Sequence, residues 1–320
     1  MKALILKAKD QYPVYEECPD LSPQEGMAIV RVKAAALNHR DVWITKGLYP
    51  GIVFPSILGS DGAGIIDDRE VVINPSLNWG DNPRYQARDY RILGLPDKGT
   101  FADYVQVGED KLVDKPAHLT FEQAAALPLA GLTAYRALMS RAQVKAGEKV
   151  LISGVGGGVA LFACQFAIAA GAEVYVSSSS QEKIDRAIEM GAKGGIKYTE
   201  SDWQKTLAKR SGGIDVIIDS AAGPGFGGFL KCCNFGARIA LYGGTRGLIG
   251  ELNSRVLFWK QISILGTTMG SDAEFVDMVA FVNAHKIVPV VDSVYPIAEG
   301  AAAFERMDKG LQFGKIVLSL

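Results

Sequence analysis

The sequence predicts an α/β protein in two parts: a mainly β segment with glycine-marked bends, and a doubly wound parallel sheet. Three observations predict it. Val150 to Ser180 reads as buried strand, glycine turn, uncharged helix and second strand. From about Gln123 to Gly266, short apolar runs alternate with helical segments, the pattern of βαβ units. Roughly the first 115 residues instead carry alternating or glycine-broken apolar runs. A chain of 320 residues has room for roughly two domains.

In chain order, Lys2 to Lys7 and Met27 to Ala36 read as strands, the second with apolar alternation. Leu37 to Trp43 reads as a loop entering a short helix, and Thr45 to Gly51 as turn-rich. Pro55 to Ile66 is apolar and broken by glycines, which suits bends between strands. Val71 to Pro75 and Gly99 to Val107 are strand-like, and Asn78 to Arg91 between them is polar and irregular. Thr120 and Gln123 form a capping box that starts a helix, and Gly131 to Leu138 continues as helix.

After the central unit come helices at Glu182 to Met190, Asp202 to Lys209 and Phe229 to Cys233. The strands between and after them are Ile196 to Tyr198, Ile214 to Asp219, Ala237 to Tyr242 and Ser263 to Leu265. The tail gives helices at Asp272 to His285 and Pro296 to Met307, then a closing strand at Gly314 to Leu318. A tail this short is expected to rejoin the first domain. The expected division is residues 1–122 with 267–320, and residues 123–266.

Composition narrows the function classes. With net charge −1 there is no global basic field for nucleic acid. The N-terminal MKALILKAKD has too short an apolar run for a signal peptide. Val150 to Ala172 is uncharged and long enough to span a bilayer, but glycines interrupt it, and 22% charged residues fits a soluble protein. Cysteines 18, 164, 232 and 233 show neither metal spacing nor a disulfide framework, so a reducing cytoplasm is expected.

Gly154-Val-Gly156-Gly157-Gly158 puts four glycines in five positions between a strand and a helix. Glycine lets backbone N–H groups approach a pyrophosphate, and the helix adds its positive end, so this is a dinucleotide fingerprint. The third small position falls on Val159 or Ala160. An NAD-preferring strand ends in Asp or Glu for the ribose hydroxyls, but here it ends Val176-Ser177-Ser178-Ser179-Ser180. Ser177, Ser178, Lys183 and Tyr198 can together contact a 2′-phosphate, which predicts NADPH; Arg186 is a further candidate. Tyr242, Gly243, Gly244 and Thr245, and Thr267, Thr268 and Met269, follow strands where ligands collect.

The order of ALNHRDVW, GSDGAG, GTFADYV, LPLAGLTAY, the glycine turn, the later GG pair and terminal GKIVL resembles the medium-chain dehydrogenase/reductase superfamily over nearly the whole chain. Within it the sequence looks closest to the zinc-independent, quinone oxidoreductase-like branch. The resemblance implies a GroES-like β-barrel catalytic domain, a Rossmann domain, a nicotinamide cofactor, and a homodimer or homotetramer. Asn38 stands where zinc-dependent members have a catalytic cysteine, and Ser60 where they have a histidine. Asp61 alone does not hold Zn²⁺, so no metal is expected.

Hydride delivery to an electrophilic carbonyl or quinone follows, with Asn38 and Tyr49 as candidate catalytic residues. The Asn38 amide would orient the nicotinamide ribose or polarise a substrate oxygen. Tyr49, matching a tyrosine that lines the acceptor site of that branch, would donate to a quinone oxygen or simply pack. Thr133 resembles a residue that touches cofactor. His39 is either a proton relay or structural, and Asp41 a cap. Val256 to Trp259 is either a dimer edge or core. The alternatives are an enoyl- or acryloyl-type thioester reductase, a zinc-type alcohol dehydrogenase, and a non-enzymatic NADPH-binding sensor.

Overall fold

The N-terminal alternation becomes strands β1 (Lys2–Leu6), β2 (Val14–Glu17) and β3 (Met27–Ala36), then helix α1 (His39–Thr45). Strands β4 (Ser56–Ile57), β5 (Asp61–Ile66), β6 (Arg69–Ile73), β7 (Ser76–Leu77), β8 (Arg91–Ile92), β9 (Tyr104–Gly108) and β10 (Leu112–Asp114) follow. Helices α2 (Phe121–Ala125) and α3 (Pro128–Tyr135) end this stretch. The computed structural model describes all 320 residues, which divide into two units: 1–132 with 270–320, and 133–269.

The first unit is built on a seven-stranded sheet. The long β3 pairs with β9 through Met27–Arg31 and with β5 through Arg31–Ala36, so one strand serves two neighbours. The mainly β character is as the sequence indicated. The short β7–β8 ladder frames residues 78–90, which the sequence marks as irregular.

The second unit holds β11 (Lys149–Ile152), α4 (Gly158–Ala169), β12 (Glu173–Ser178), α5 (Gln181–Glu189), β13 (Gly194–Lys197), α6 (Trp203–Ser211), β14 (Ile214–Asp219), β15 (Cys233–Leu241), α7 (Ser254–Trp259) and β16 (Ser263–Gly266). All six strands are parallel in the order β13-β12-β11-β14-β15-β16, so the winding reverses beside β11. The uncharged α4 buries Ala160, Leu161, Phe162, Cys164 and Phe166, with the two phenylalanine rings 5.6 Å apart. Burying each such ring contributes about 2–3 kcal/mol, which explains a helix with no polar face.

The tail supplies α8 (Asp272–Ala284), β17 (Val291–Pro296), α9 (Gly300–Asp308) and β18 (Lys315–Ser319). β18 pairs with β3, Val317 opposite Ala36, and so the C-terminus completes the first unit's sheet. α9 drops Phe304 into that unit's core, edge-on to Phe101 at 6.0 Å.

Four expectations are corrected. The division falls at 132/133 and 269/270 rather than 122/123 and 266/267, because α2 packs on β3 and β5 of the first unit. Phe229–Cys233 is not a helix. A 3-10 segment covers Phe226–Lys231, where Gly227 and Gly228 weaken an α-helix, and Cys233 already pairs in β15 opposite Ile214. The helix through Leu138 widens into a π-helical stretch, Arg136–Ala142, that stops at left-handed Gln143. The helix expected over Pro296–Met307 begins only at Gly300: Pro296 ends β17, which goes unread because none of its residues is fully buried, and a 3-10 turn, Ile297–Glu299, intervenes.

Candidate functional site

The second unit gathers its candidate residues at the carboxyl edge of the parallel sheet. Register aligns Ile152 with Val176 and Ile218, Ser178 with Lys197, and Leu241 with Asp219 and Gly266. The segments after these strand ends are therefore neighbours. Gly154 and Gly156 take φ of +69° and +133°, which L side chains rarely adopt. Gly157 caps α4 with an ordinary φ of −81°, and a Cβ added there would meet nothing within 4 Å. Open space in front of a helix N-terminus fits a pyrophosphate. Gly158 and Val159 begin the helix half-buried, and Ala160 is the small residue packed beneath it.

At the end of β12, Ser177 is buried and its Oγ accepts from Gly154 N at 3.3 Å, so this hydroxyl braces the glycine turn. Ser178 Oγ accepts from Ser180 N (3.2 Å), and Tyr198 N donates to Ser178 O (3.1 Å), which joins Tyr198 to the end of β12. The Lys183 stem lies over Gly156: a Cβ there would stand 2.8 Å from its Cδ and 3.3 Å from Nζ. The Lys183 ammonium and the Ser177 hydroxyl thus lie beside the glycine turn, with no carboxylate at the strand end, whereas the Tyr198 ring packs on the second unit's core. Arg186 is exposed.

Tyr242, Gly243, Gly244 and Thr245 leave β15 as a tight turn, in which a Cβ on Gly243 would sit 2.8 Å from Ser220 O. Beyond β16, Thr133 Oγ1 donates to Met269 Sδ at 3.7 Å. Thr268 is exposed, whereas Thr267 Oγ1 is enclosed without a partner. An orphaned hydroxyl at the carboxyl edge of a parallel sheet is what a bound ligand would satisfy.

In the first unit, three segments far apart in sequence meet. Lys315 Nζ donates to Leu37 O (2.7 Å), Asn38 Oδ1 (2.7 Å) and Asp61 Oδ2 (2.8 Å), and is only 3% exposed. Asn38 Nδ2 donates to the same Asp61 oxygen at 2.9 Å, and Leu129 N donates to Asp61 Oδ1 at 2.7 Å. All three ammonium hydrogens and both carboxylate oxygens are used. Asn38 retains one amide N–H. A zinc site needs cysteine or histidine donors, whereas here an ammonium already sits between the amide and the carboxylate.

Asp41 starts α1 by accepting from Asn38 N (2.8 Å) through Oδ2, while its Oδ1 is enclosed without a partner. Burial pushes its carboxyl up to about 6, against the opposing pull of Arg40 and that N–H. His39, although exposed, lies below the ordinary histidine value through desolvation and the Lys315 charge. Tyr49 is half-buried with its ring centre 5.1 Å from the Arg40 guanidinium. Arg40 donates through Nη1 to Ser60 Oγ (2.5 Å) and Leu93 O (2.9 Å). Burial also raises the Tyr90 phenol above its ordinary value.

Arg40, Lys315 and Tyr90 escape a sequence reading. A charged residue in a helix-entry loop reads as surface, Tyr90 lies in a polar stretch, and only a single lysine in the apolar GKIVL strand hints at an inward ammonium.

Two family models match: Alcohol dehydrogenase GroES-like domain over residues 24–117, and Zinc-binding dehydrogenase over residues 158–284. Human quinone oxidoreductase is 32% identical, covering 93% of this chain and 90% of its own. The chain belongs to the medium-chain dehydrogenase/reductase superfamily. It thus has the GroES-like and Rossmann domains of that superfamily. The zinc-type alcohol dehydrogenase-like protein YogA of Leptosphaeria maculans is 35% identical, covering 93% of this chain and 92% of its own. A solved structure described as an NAD-dependent alcohol dehydrogenase superposes with a TM-score of 0.94 at 36% identity, covering 100% of both chains.

Proposed function

We propose that the protein is an NADPH-dependent oxidoreductase that works without zinc and delivers hydride to a quinone or another α,β-unsaturated carbonyl. The observation that carries this reading is the Lys315 ammonium bound between Asp61 and Asn38, the residue that stands where metal-dependent members have a cysteine. Such a site lacks the Lewis acid that turns an alcohol into an alkoxide, so an acceptor that is already electrophilic suits it better. The quinone oxidoreductases among the relatives support the same direction.

When bound, the reduced nicotinamide supplies the hydride. The glycine turn and the start of α4 would hold the pyrophosphate. Lys183, Ser178 and Tyr198 would hold a 2′-phosphate, and Thr133, the Tyr242–Thr245 turn and Thr267–Met269 the nicotinamide end. Asn38 would orient the reactants through its remaining amide N–H.

The test is oxidation of NADPH and of NADH, followed by absorbance, with a quinone and a simple enone, each with and without EDTA. Chelator-resistant turnover that favours NADPH is expected. Turnover abolished by EDTA, or alcohol oxidation with NAD, would favour the second reading, a zinc alcohol dehydrogenase; the 35%-identical relative is described as zinc-type alcohol dehydrogenase-like, and the 36%-identical structure as an NAD-dependent alcohol dehydrogenase.

A homodimer is also proposed. Val256 and Leu257 of α7 pack on the core, whereas Phe258 and Trp259 are 67% and 72% exposed beside edge strand β16. Sedimentation of the wild type and of a Phe258→Ser/Trp259→Ser variant checks this, with the variant expected to run as the smaller species.

A further inference from the structure

Arg40 is a buried cation with no ion pair, and the buried Asp41 carboxyl feels its charge only at a distance. Arg40 is 7% exposed, and no carboxylate lies within ion-pairing distance. Its Nη1 is held by Ser60 Oγ and Leu93 O, both uncharged. Its Nε is enclosed with no partner. Its Nη2 has no partner either but, unlike Nε, keeps accessible surface. The nearby Lys315 satisfies all three of its donors within the protein, as a structural cation should. Arg40 does not. It is fixed at one end by Ser60 and Leu93, bounded by the Tyr49 ring, and left with one nitrogen, Nη2, that is unpartnered and accessible.

We infer that Arg40 holds the acceptor's carbonyl oxygen through Nη2 and stabilises the negative charge that forms there. This deepens the reductase reading and rests on it. The donor geometry also selects the ligand class. A carboxylate or phosphate is best bound by two parallel N–H groups. Arg40 has no such pair: Nη1 is occupied, Nε is enclosed, and the two N–H groups of the one free nitrogen, Nη2, diverge. One free nitrogen on a delocalised cation matches a single oxygen, as in a quinone or an enone. When hydride adds at carbon, the conjugated π electrons move onto this oxygen, and the reduced nicotinamide loses two electrons. The oxyanion stays bound to Nη2 until water supplies a proton, at the α-carbon for an enone; for a quinone the proton goes to this oxygen, and the ring carbon then loses a proton to water while the second oxygen gains one, which gives the quinol. Arg40 thus supplies the polarisation that a metal gives elsewhere in the superfamily.

The test uses the full-length protein with Arg40→Gln and Arg40→Lys, checked for folding by circular dichroism. The lysine variant keeps the buried charge if the glutamine variant fails to fold. The first readout needs no turnover. 4-Nitrophenol is titrated with the protein, and its visible phenolate band is followed against pH. Wild type should ionise the bound dye at a lower pH than free dye, Arg40→Gln should lose that shift, and Arg40→Lys should keep part of it.

The second readout is steady-state quinone reduction. Arg40→Gln should lose about 100-fold in kcat, the scale of one oxyanion donor, with NADPH affinity unchanged. Failure of wild type to bind or shift the dye, or an equal shift in folded Arg40→Gln, would overturn the inference. So would an unchanged kcat. An Arg40-dependent dye shift in a protein that reduces no acceptor would overturn the reductase reading and leave the oxyanion site standing. Turnover that is indifferent to Arg40 would do the reverse.

Discussion

Residues 133–269 offer a ligand mostly backbone: a glycine turn, a helix start, and the turns after parallel strands. The side chains that join in, such as Lys183 and Tyr198, lie near the surface and are not buried charges. Residues 1–132 and 270–320 offer mostly buried side chains: Asn38, Arg40, Asp41, Asp61 and Lys315 are each between 0% and 8% exposed. The difference teaches where sensitivity should lie. A site made of backbone can lose affinity without losing stability. A site made of buried charge resists substitution because every group removed strands another.

The sharpest way to break that comparison is Lys315→Met. It leaves the Asp61 carboxylate buried with no cation and should cost about 3–5 kcal/mol in urea unfolding. Adding Asp61→Asn should recover much of the loss, since neither charge is then stranded. A cost below about 1 kcal/mol would mean that the cluster is not the first unit's stability determinant.

Asp41 gives a pH test in the same unit. Its folded pKa, about 6, stands above the reference 3.8. A raised carboxyl favours the folded state below the unfolded pKa, and the advantage is lost as pH rises through about 6. Wild type should therefore lose roughly 3 kcal/mol relative to Asp41→Asn between acid and neutral pH, at about 1.4 kcal/mol per unit. Urea midpoints of both proteins across that range check it, and a flat difference would refute the raised value.

In the second unit, Gly157→Val should do the opposite. The backbone there is ordinary and the added side chain enters empty space, so the melting temperature should hold. NADPH should bind about 100-fold more weakly, roughly 2.7 kcal/mol, by calorimetry. Unchanged affinity would remove the glycine cradle from the binding site. The smallest effect is expected for Lys183→Ala: about tenfold weaker NADPH, near 1.4 kcal/mol, with NADH hardly changed. That loss should shrink as salt is raised. Equal losses for both cofactors would withdraw the 2′-phosphate assignment.

Local chemistry by itself determined much of this protein. The strand–glycine–helix–strand order of residues 150–178, the alternation in β3 and the capping box at Thr120 are encoded by neighbours in sequence. So is the absence of an acid at the end of β12. Backbone features are legible for that reason: the glycines that turn the chain before α4 stand together in the sequence. Ser177 marks a boundary, since sequence placed it at the strand end but not its hydroxyl on Gly154 N.

The first unit's site was decided by tertiary structure. Lys315 lies 254 residues from Asp61 and 277 from Asn38, and only the pairing of β18 with β3 brings them together. Arg40 reads as a loop charge until Ser60 and Leu93 enclose it. Burial turns an ordinary charge into a costly one, and burial belongs to the packed chain rather than to any stretch of it.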